Sequence, residues 1–198
     1  MVIILLLVYR SPISPLVPLF TISLAYLISR GVVALLGAHW LTISGYTNVF
    51  IIVVLFGAGT DYCLFLISRF REEMAVDHAA IAAVARTVGT VGETITSSAA
   101  TVIVGLSTMA FAELGLYNAS GPSVAIAVLI ALVAGLTLTP ALLAVLGEKA
   151  FWPRKARQFH EGRFWSWWSG RITRHPVRVL VVVTIVLVPL AVYGQGLK

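Results

Sequence analysis

Long apolar runs separated by short polar breaks organise this chain. Five stretches, 16–36, 47–67, 94–112, 122–146 and 177–196, reach or approach the length of about 20 residues that a helix needs to cross a bilayer. Each is bounded by Gly, Pro, polar or charged residues. The pattern predicts an all-α fold, a polytopic transmembrane helix bundle. The opening stretch, 1–9, is too short to span and reads as the last half of a helix whose beginning is absent. The expectation is therefore a fragment of a larger protein, cut inside a helix.

The breaks carry their own information. The short segments 37–46 and 113–121 hold Trp40, Tyr46 and Tyr117, which suit the headgroup level. Asn118-Ala-Ser120 matches a glycosylation triplet, a pattern common by chance. Residues 75–92 alternate small apolar residues with Asp77, His78 and Arg86, and predict a helix lying at the membrane surface. Residues 151–168 mix Phe151, Trp152, Trp165, Trp167 and Trp168 with Arg154, Lys155, Arg157 and Arg163. Basic and aromatic residues together suit an interfacial helix on anionic lipid, a simple anchor or a specific lipid or partner site.

Composition fixes the solvent. Of 198 residues, 59% are hydrophobic and 11% charged, against about 25% charged in soluble domains. Too few charges remain to coat a globule, so lipid covers most of the surface. The net charge of +6 raises nucleic acid as a partner, but its distribution points elsewhere. Chain parity places 9–15, 68–93 and 147–176 on one side. With Arg178, that side holds Arg10, Arg69, Arg71, Arg86, Lys149, Arg154, Lys155, Arg157, Arg163, Arg171 and Arg174. Only Arg30 and Lys198 fall to the other. The positive-inside rule makes 68–93 and 147–176 cytoplasmic. No zinc-finger, RNA-binding or helix-turn-helix pattern supports nucleic acid. Cys63 is the single cysteine, which rules out an internal disulfide and a multi-thiolate metal site.

One charge interrupts the apolar run 47–67. Asp61 lies about 21 Å along the helix from Thr47, at 1.5 Å per residue, past the middle of a core about 30 Å thick. An ionised carboxylate there costs roughly 2.5–3.5 kcal/mol on the insertion scale. The default reading of such an acid is a proton or ion relay; the plainer one is a neutral Asp that glues helices by hydrogen bonds. Gly57 and Gly59 remove side-chain bulk beside it, so that another helix can approach. Tyr62 adds a phenol able to donate to the carboxylate. Thr94, Ser97, Ser98 and Thr101 bring hydroxyls at helical spacing, which can bond Asp61, hold water, or bond back to their own helix. Glu93 and Glu113 are weaker candidates near the interfaces, and Glu72 and Glu73 follow Arg69 and Arg71 in what reads as a solvated ion-pair cluster.

At this point the residues match a known family. Gly57-Ala-Gly-Thr-Asp-Tyr-Cys-Leu-Phe-Leu-Ile-Ser-Arg-Phe-Arg-Glu-Glu73 resembles the signature of the MMPL (mycobacterial membrane protein, large) family of RND transporters. Leu136-Thr-Leu-Thr-Pro-Ala-Leu-Leu-Ala-Val-Leu-Gly147, followed by Phe151-Trp-Pro-Arg154, looks like the end of that family's sixth transmembrane helix; Tyr9–Pro12 looks like the end of its second. The resemblance implies an RND-type half-bundle: 1–146 the end of helix two through helix six, 147–176 a cytoplasmic basic-aromatic linker, 177–198 helix seven. It implies that Asp61 and Tyr62 form a proton relay facing a similar pair in the second half of the transporter, which has no counterpart in this sequence. It implies export of lipids or other hydrophobic molecules across the bacterial inner membrane, driven by proton influx. The partners are then membrane lipids, the cargo and the second half, with protons as coupling ion and no cofactor, metal or ATP site. No Walker A pattern occurs.

Rival readings rest on less. Gly57-Ala-Gly59-Thr-Asp61 resembles the Gly-x-Gly-Asp run of intramembrane aspartyl proteases, but Thr60 intervenes and the only other aspartate, Asp77, lies outside the spans. A sterol-sensing lipid sensor shares the helix layout and does not require an Asp-Tyr pair. Proton-linked protein export, as in the SecDF branch of the superfamily, is a further alternative. The orientation is tested directly: a cysteine placed within 155–165 is expected to react with an impermeant thiol reagent only from the cytoplasmic side, and labelling from outside would overturn the topology.

Overall fold

The computed structural model describes residues 11–38, 45–76, 79–152 and 163–195. Among them every regular element is helical: α1 Leu16–Gly37, α2 Thr47–Val76, α3 Ala80–Thr108, α4 Gly115–Leu146, α5 Arg163–Arg174 and α6 Pro176–Gln195. Short 3₁₀ turns, Met109–Phe111 and Gly147–Phe151, prolong α3 and α4. The first four helices are each long and apolar enough to cross a membrane, and α5 with α6 forms a bent pair that makes a fifth candidate. The expected half-helix at 1–9, Trp40, Asp77, His78 and the linker 153–162 lie outside the described residues. The chain divides into two compact units, 1–158 and 159–198.

In the first unit α4 is the hub, packing against α1, α2 and α3. Consecutive residues Ser123, Val124 and Ala125, then Ala127 and Val128, are all buried, a broad contact face that leaves Leu129 and Val133 exposed on the remaining side. Small residues at Ala119, Ser120, Gly121, Ala127, Ala131 and Gly135 let neighbouring backbones approach, which is how helices attract one another in lipid. By contrast α1 buries a single stripe, Pro18, Ile22, Ala25, Ser29 and Val33, at steps of three and four. Pro18 costs no hydrogen bond, because the first turn of a helix has no intrahelical partner for its N–H groups.

The Ser11 end of the bundle is tied by polar contacts. The Ser11 hydroxyl lies 2.6 Å from the Trp152 carbonyl and 3.1 Å from that of Ala150, while Ser14 Oγ donates to the Ala150 carbonyl at 2.6 Å. These carbonyls belong to the turn after α4, where the helix has run out of donors of its own. Gly147 closes α4 with φ +52°, a backbone state that favours glycine. Phe151 stacks on Phe70 at 6.0 Å and carries the Arg71 guanidinium 5.3 Å from its ring centre. Arg69 pairs with Glu72 (2.8 Å) and Glu73 (2.5 Å), and Glu73 also takes Arg86 of α3 at 2.8 Å.

Two expectations are corrected. Residues 75–92 do not form a separate surface helix: α2 runs to Val76, and 80–92 continue without a break into the third span as the 29-residue α3. No proline interrupts 80–108, and Gly89 and Gly92 weaken a helix by only about 1 kcal/mol each relative to Ala. The polar residues that suggested a boundary are accommodated, Arg86 by its ion pair with Glu73. The expected outer loop 113–121 shrinks to 112–114, because α4 begins at Gly115 and holds Pro122 inside it. Proline is tolerated in spans where nearby groups take over the freed backbone atoms, and just beyond it the Ser123 hydroxyl donates to the Ala119 carbonyl at 3.3 Å.

The α3–α4 corner is the tightest point described. A Cβ at Gly121 would lie 2.7 Å from the Leu106 carbonyl oxygen and against the Met109 side chain. Backbone cannot swing aside as a side chain can. Gly121→Ala is therefore expected to destabilise the bundle by about 1–3 kcal/mol, the usual cost of overpacking, read as a lower thermal unfolding midpoint in detergent.

Candidate functional site

The site is built around an irregularity in α2. The helix is α over Thr47–Val54, a π turn over Leu55–Gly59, and α again from Thr60. The buried positions Thr47, Ile51, Leu55, Gly59 and Cys63 run in steps of four. A uniform helix of 3.6 residues per turn would let such a stripe drift by about 40° per step. The wider π turn takes up drift, so the stripe stays against α1 and α4: a Cβ at Gly59 would lie 2.5 Å from Ile22 Cδ1 and 3.6 Å from Ala131 Cβ. Turns of this kind are frequent at functional sites.

Asp61 follows directly. It stands two residues from both Gly59 and Cys63, on the opposite side of the helix, and its side chain is exposed. Gly57, Phe65 and Ser68 are exposed on α2 with it. Gly57 has nothing within 4 Å of the place a Cβ would take. The two glycines named from the sequence thus do different things: Gly59 admits α1 and α4, whereas Gly57 leaves an open notch beside the acid. Within its own unit Asp61 lies in a membrane-length helix, on a face that no other described helix covers.

The neighbouring phenol goes the other way. Tyr62 is 6% exposed and packs with Leu66, Ile95, Ala99 and Leu132, between α2, α3 and α4. Gly135 of α4 lies alongside it, the place of its would-be Cβ being 3.9 Å from Tyr62 Cβ. Successive helical residues point about 100° apart, and here that separates an open Asp61 from a buried Tyr62. Among the described residues Asp61 has no hydrogen bond or ion pair, and Tyr62 donates none to it. Thr94, Ser97, Ser98 and Thr101 are all exposed on α3. Thr101 donates to the Ser97 carbonyl at 3.0 Å, as Thr96 does to Gly92 at 2.8 Å. For Thr101, bonding back to its own helix is what the structure shows. None of the four hydroxyls is joined to Asp61. Glu93 and Glu113 are exposed, and Glu72 and Glu73 sit in the ion-pair cluster described above.

Sequence reading missed a buried polar chain behind the acid. Cys63 Sγ lies 3.3 Å from Thr139 Oγ1, which donates to Thr21 Oγ1 at 3.3 Å. It links α2, α4 and α1, and all three residues are fully buried. Thr21 and Thr139 are each one of several hydroxyl residues in their apolar stretches, so the sequence does not single them out. Beside the π turn, Thr60 Oγ1 donates to the Phe56 carbonyl, supplying a donor where the regular ladder changes pitch.

An all-helical chain with four membrane-length helices and a carboxylate set within one of them is a polytopic membrane protein. It belongs to the MMPL family, whose model matches residues 1–179. It is 34% identical over 187 residues to the membrane protein YdgH of Bacillus subtilis, which covers 93% of this chain and 21% of YdgH. With the sulfolipid-1 exporter MmpL8 of Mycobacterium tuberculosis the identity is 34% over 191 residues, 96% of this chain and 17% of MmpL8. The apo-petrobactin exporter of Bacillus anthracis is 38% identical over 152 residues, 76% of this chain and 20% of that protein. The chain thus spans about a fifth of the length of these relatives.

The two glycines separate packing from the open face. Gly59→Leu is expected to destabilise the chain by about 1–3 kcal/mol, since Ile22 is itself fully buried and has nowhere to go. Gly57→Leu is expected to stay within about 0.5 kcal/mol of the parent, as substitutions at open positions do. Thermal unfolding of both variants in detergent checks the contrast; equal losses would place Gly57 inside the packed core.

Proposed function

We propose that this chain is the transmembrane core of one half of a proton-driven exporter of lipids or other hydrophobic molecules, with Asp61 as the residue that takes up and releases the proton. The observation that carries the proposal is an unpartnered carboxylate in a spanning helix, on a face its own unit leaves open. Intramembrane acids face a bundle interior or a water-filled cavity rather than lipid, because an ionised carboxylate in hydrocarbon costs roughly 2.5–3.5 kcal/mol or more. The open face of α2 is therefore built to meet protein or water, and a second half of the transporter is the partner that suits it. The names of two relatives, a sulfolipid-1 exporter and an apo-petrobactin exporter, support export of amphipathic cargo. The membrane is then the bacterial inner membrane, with 68–93 and 147–176 on the cytoplasmic side.

The mechanism follows from the charge. Protonated, Asp61 sits against apolar neighbours at little cost; ionised, it needs donors. Gain and loss of the proton therefore favour two different packings of the open face, and that differential stabilisation is what a population shift requires. Tyr62 reaches the carboxylate only in a packing other than the one described, so its part in the relay is tied to the rearrangement itself. The hydroxyls of Thr94, Ser97, Ser98 and Thr101 are open to hold water along α3.

In the full-length transporter, Asp61→Asn keeps size and hydrogen-bonding capacity but cannot change charge. It is expected to reach normal abundance in the membrane while export falls to the level seen when the proton gradient is collapsed. Asp61→Glu is expected to keep part of the activity, and Tyr62→Phe to slow export without abolishing it. Wild-type export by Asp61→Asn at normal abundance would make the carboxyl structural and sink the mechanism.

A further inference from the structure

The second unit holds a site of a different kind. Pro176 has no N–H and restricts the conformation of His175, so α5 stops at Arg174 and α6 starts afresh at Pro176. The two helices meet at 96°. This elbow turns Arg178 of α6 toward Arg171 and Arg174 of α5, around an open hollow of about 450 Å³ that also touches Trp167, Gly170 and His175. A second hollow of about 390 Å³ shares Arg171, His175 and Arg178, then continues along Val179, Val182 and Val183 of α6. A cationic bowl thus opens onto an apolar channel along α6.

The charges in the bowl are uncompensated by the local chain. From 162 to 198 the sequence contains no Asp or Glu. Arg171 stands 5.2 Å from the Trp167 ring centre, a cation–π contact that holds the guanidinium in place. Arginine is the side chain best matched to phosphate oxygens, which it can grip with two parallel N–H bonds. Tryptophans beside it suit the headgroup level of a bilayer.

We propose that the elbow binds an anionic phospholipid, its phosphate among Arg171, Arg174 and Arg178 and one acyl chain along Val179, Val182 and Val183. A free phosphate would leave the apolar channel empty. A zwitterionic lipid would bring an ammonium group up to three arginines. An anionic phospholipid satisfies both hollows at once. This assignment stands apart from proton coupling and survives if that fails.

The test uses the chain in phosphatidylcholine vesicles containing phosphatidylglycerol, with Trp40, Trp152 and Trp165 replaced by Phe so that fluorescence comes from Trp167 and Trp168. Brominated phosphatidylglycerol is expected to quench more strongly than brominated phosphatidylcholine at equal mole fraction. R171Q/R174Q/R178Q is expected to lower that preference by on the order of tenfold or more, with helix content unchanged because these side chains are exposed. R154Q/K155Q/R157Q removes the same charge outside α5 and α6 and is expected to keep the preference. Excess inorganic phosphate is expected to leave the quenching as it was. Equal quenching by the two lipids, a preference that survives the elbow variant, or equal loss in both triple variants would each overturn the site; displacement by inorganic phosphate would show an ion site instead of a lipid site.

Discussion

Inside a bilayer a polar group without a partner in the protein has no water to turn to, and each such group costs several kcal/mol. The first unit obeys this constraint at every scale. Within helices, Ser29, Thr87 and Thr137 donate to the carbonyl four residues back. Between helices, Thr47 and Ser120 meet at 3.2 Å, and Thr139 lies between Cys63 and Thr21. At the end of α4, Ser11 and Ser14 take the carbonyls that the helix leaves over. Against that background Asp61 stands out as an exposed carboxylate in a membrane-length helix that has no hydrogen bond or ion pair among the described residues.

Packing decides why it is that residue and not its neighbours. α4 is the hub of the first unit, and α1 and α2 meet it with stripes of small and branched residues. The π turn lets α2 keep its stripe aligned through Gly59 and Cys63, and an acid two residues from each can only point away. At the place Gly59 holds in that stripe, a side chain would meet the apolar Ile22 and Ala131. The fold therefore selects the open face for the charge by excluding the alternatives.

Much of this was legible in the sequence. The apolar runs located four of the helices to within a few residues at one end or both, because hydrocarbon admits little but helix. The Gly57–Glu73 run and the acid within it pointed to the family that the comparison with known proteins shows. What periodicity could not give was anything set by a neighbour. Along the continuation of α3 through 80–92, Arg86 pairs with Glu73 of another helix, a contact that periodicity does not report. The π turn depends on α1 and α4 claiming Gly59. The burial of Tyr62 is set by Ile95, Ala99 and Leu132, which lie on other helices far along the chain. Hydropathy marked Pro122 as a boundary, whereas the helix passes through it with α3 close on one side.

The charged groups of the two units show how environment separates roles that composition alone would merge. Asp61 lies exposed in a membrane-length helix, and the proposed role for it is the exchange of a proton. Arg171, Arg174 and Arg178 keep their charge under all ordinary conditions, and the tryptophans around them match the headgroup layer, where a permanent cation is cheap and phosphate is at hand. A group whose charge can change belongs with motion; groups whose charge cannot change belong with anchoring. The bend at Pro176, 96° between α5 and α6, sets the cations of the elbow apart from the run of valines that follows along α6.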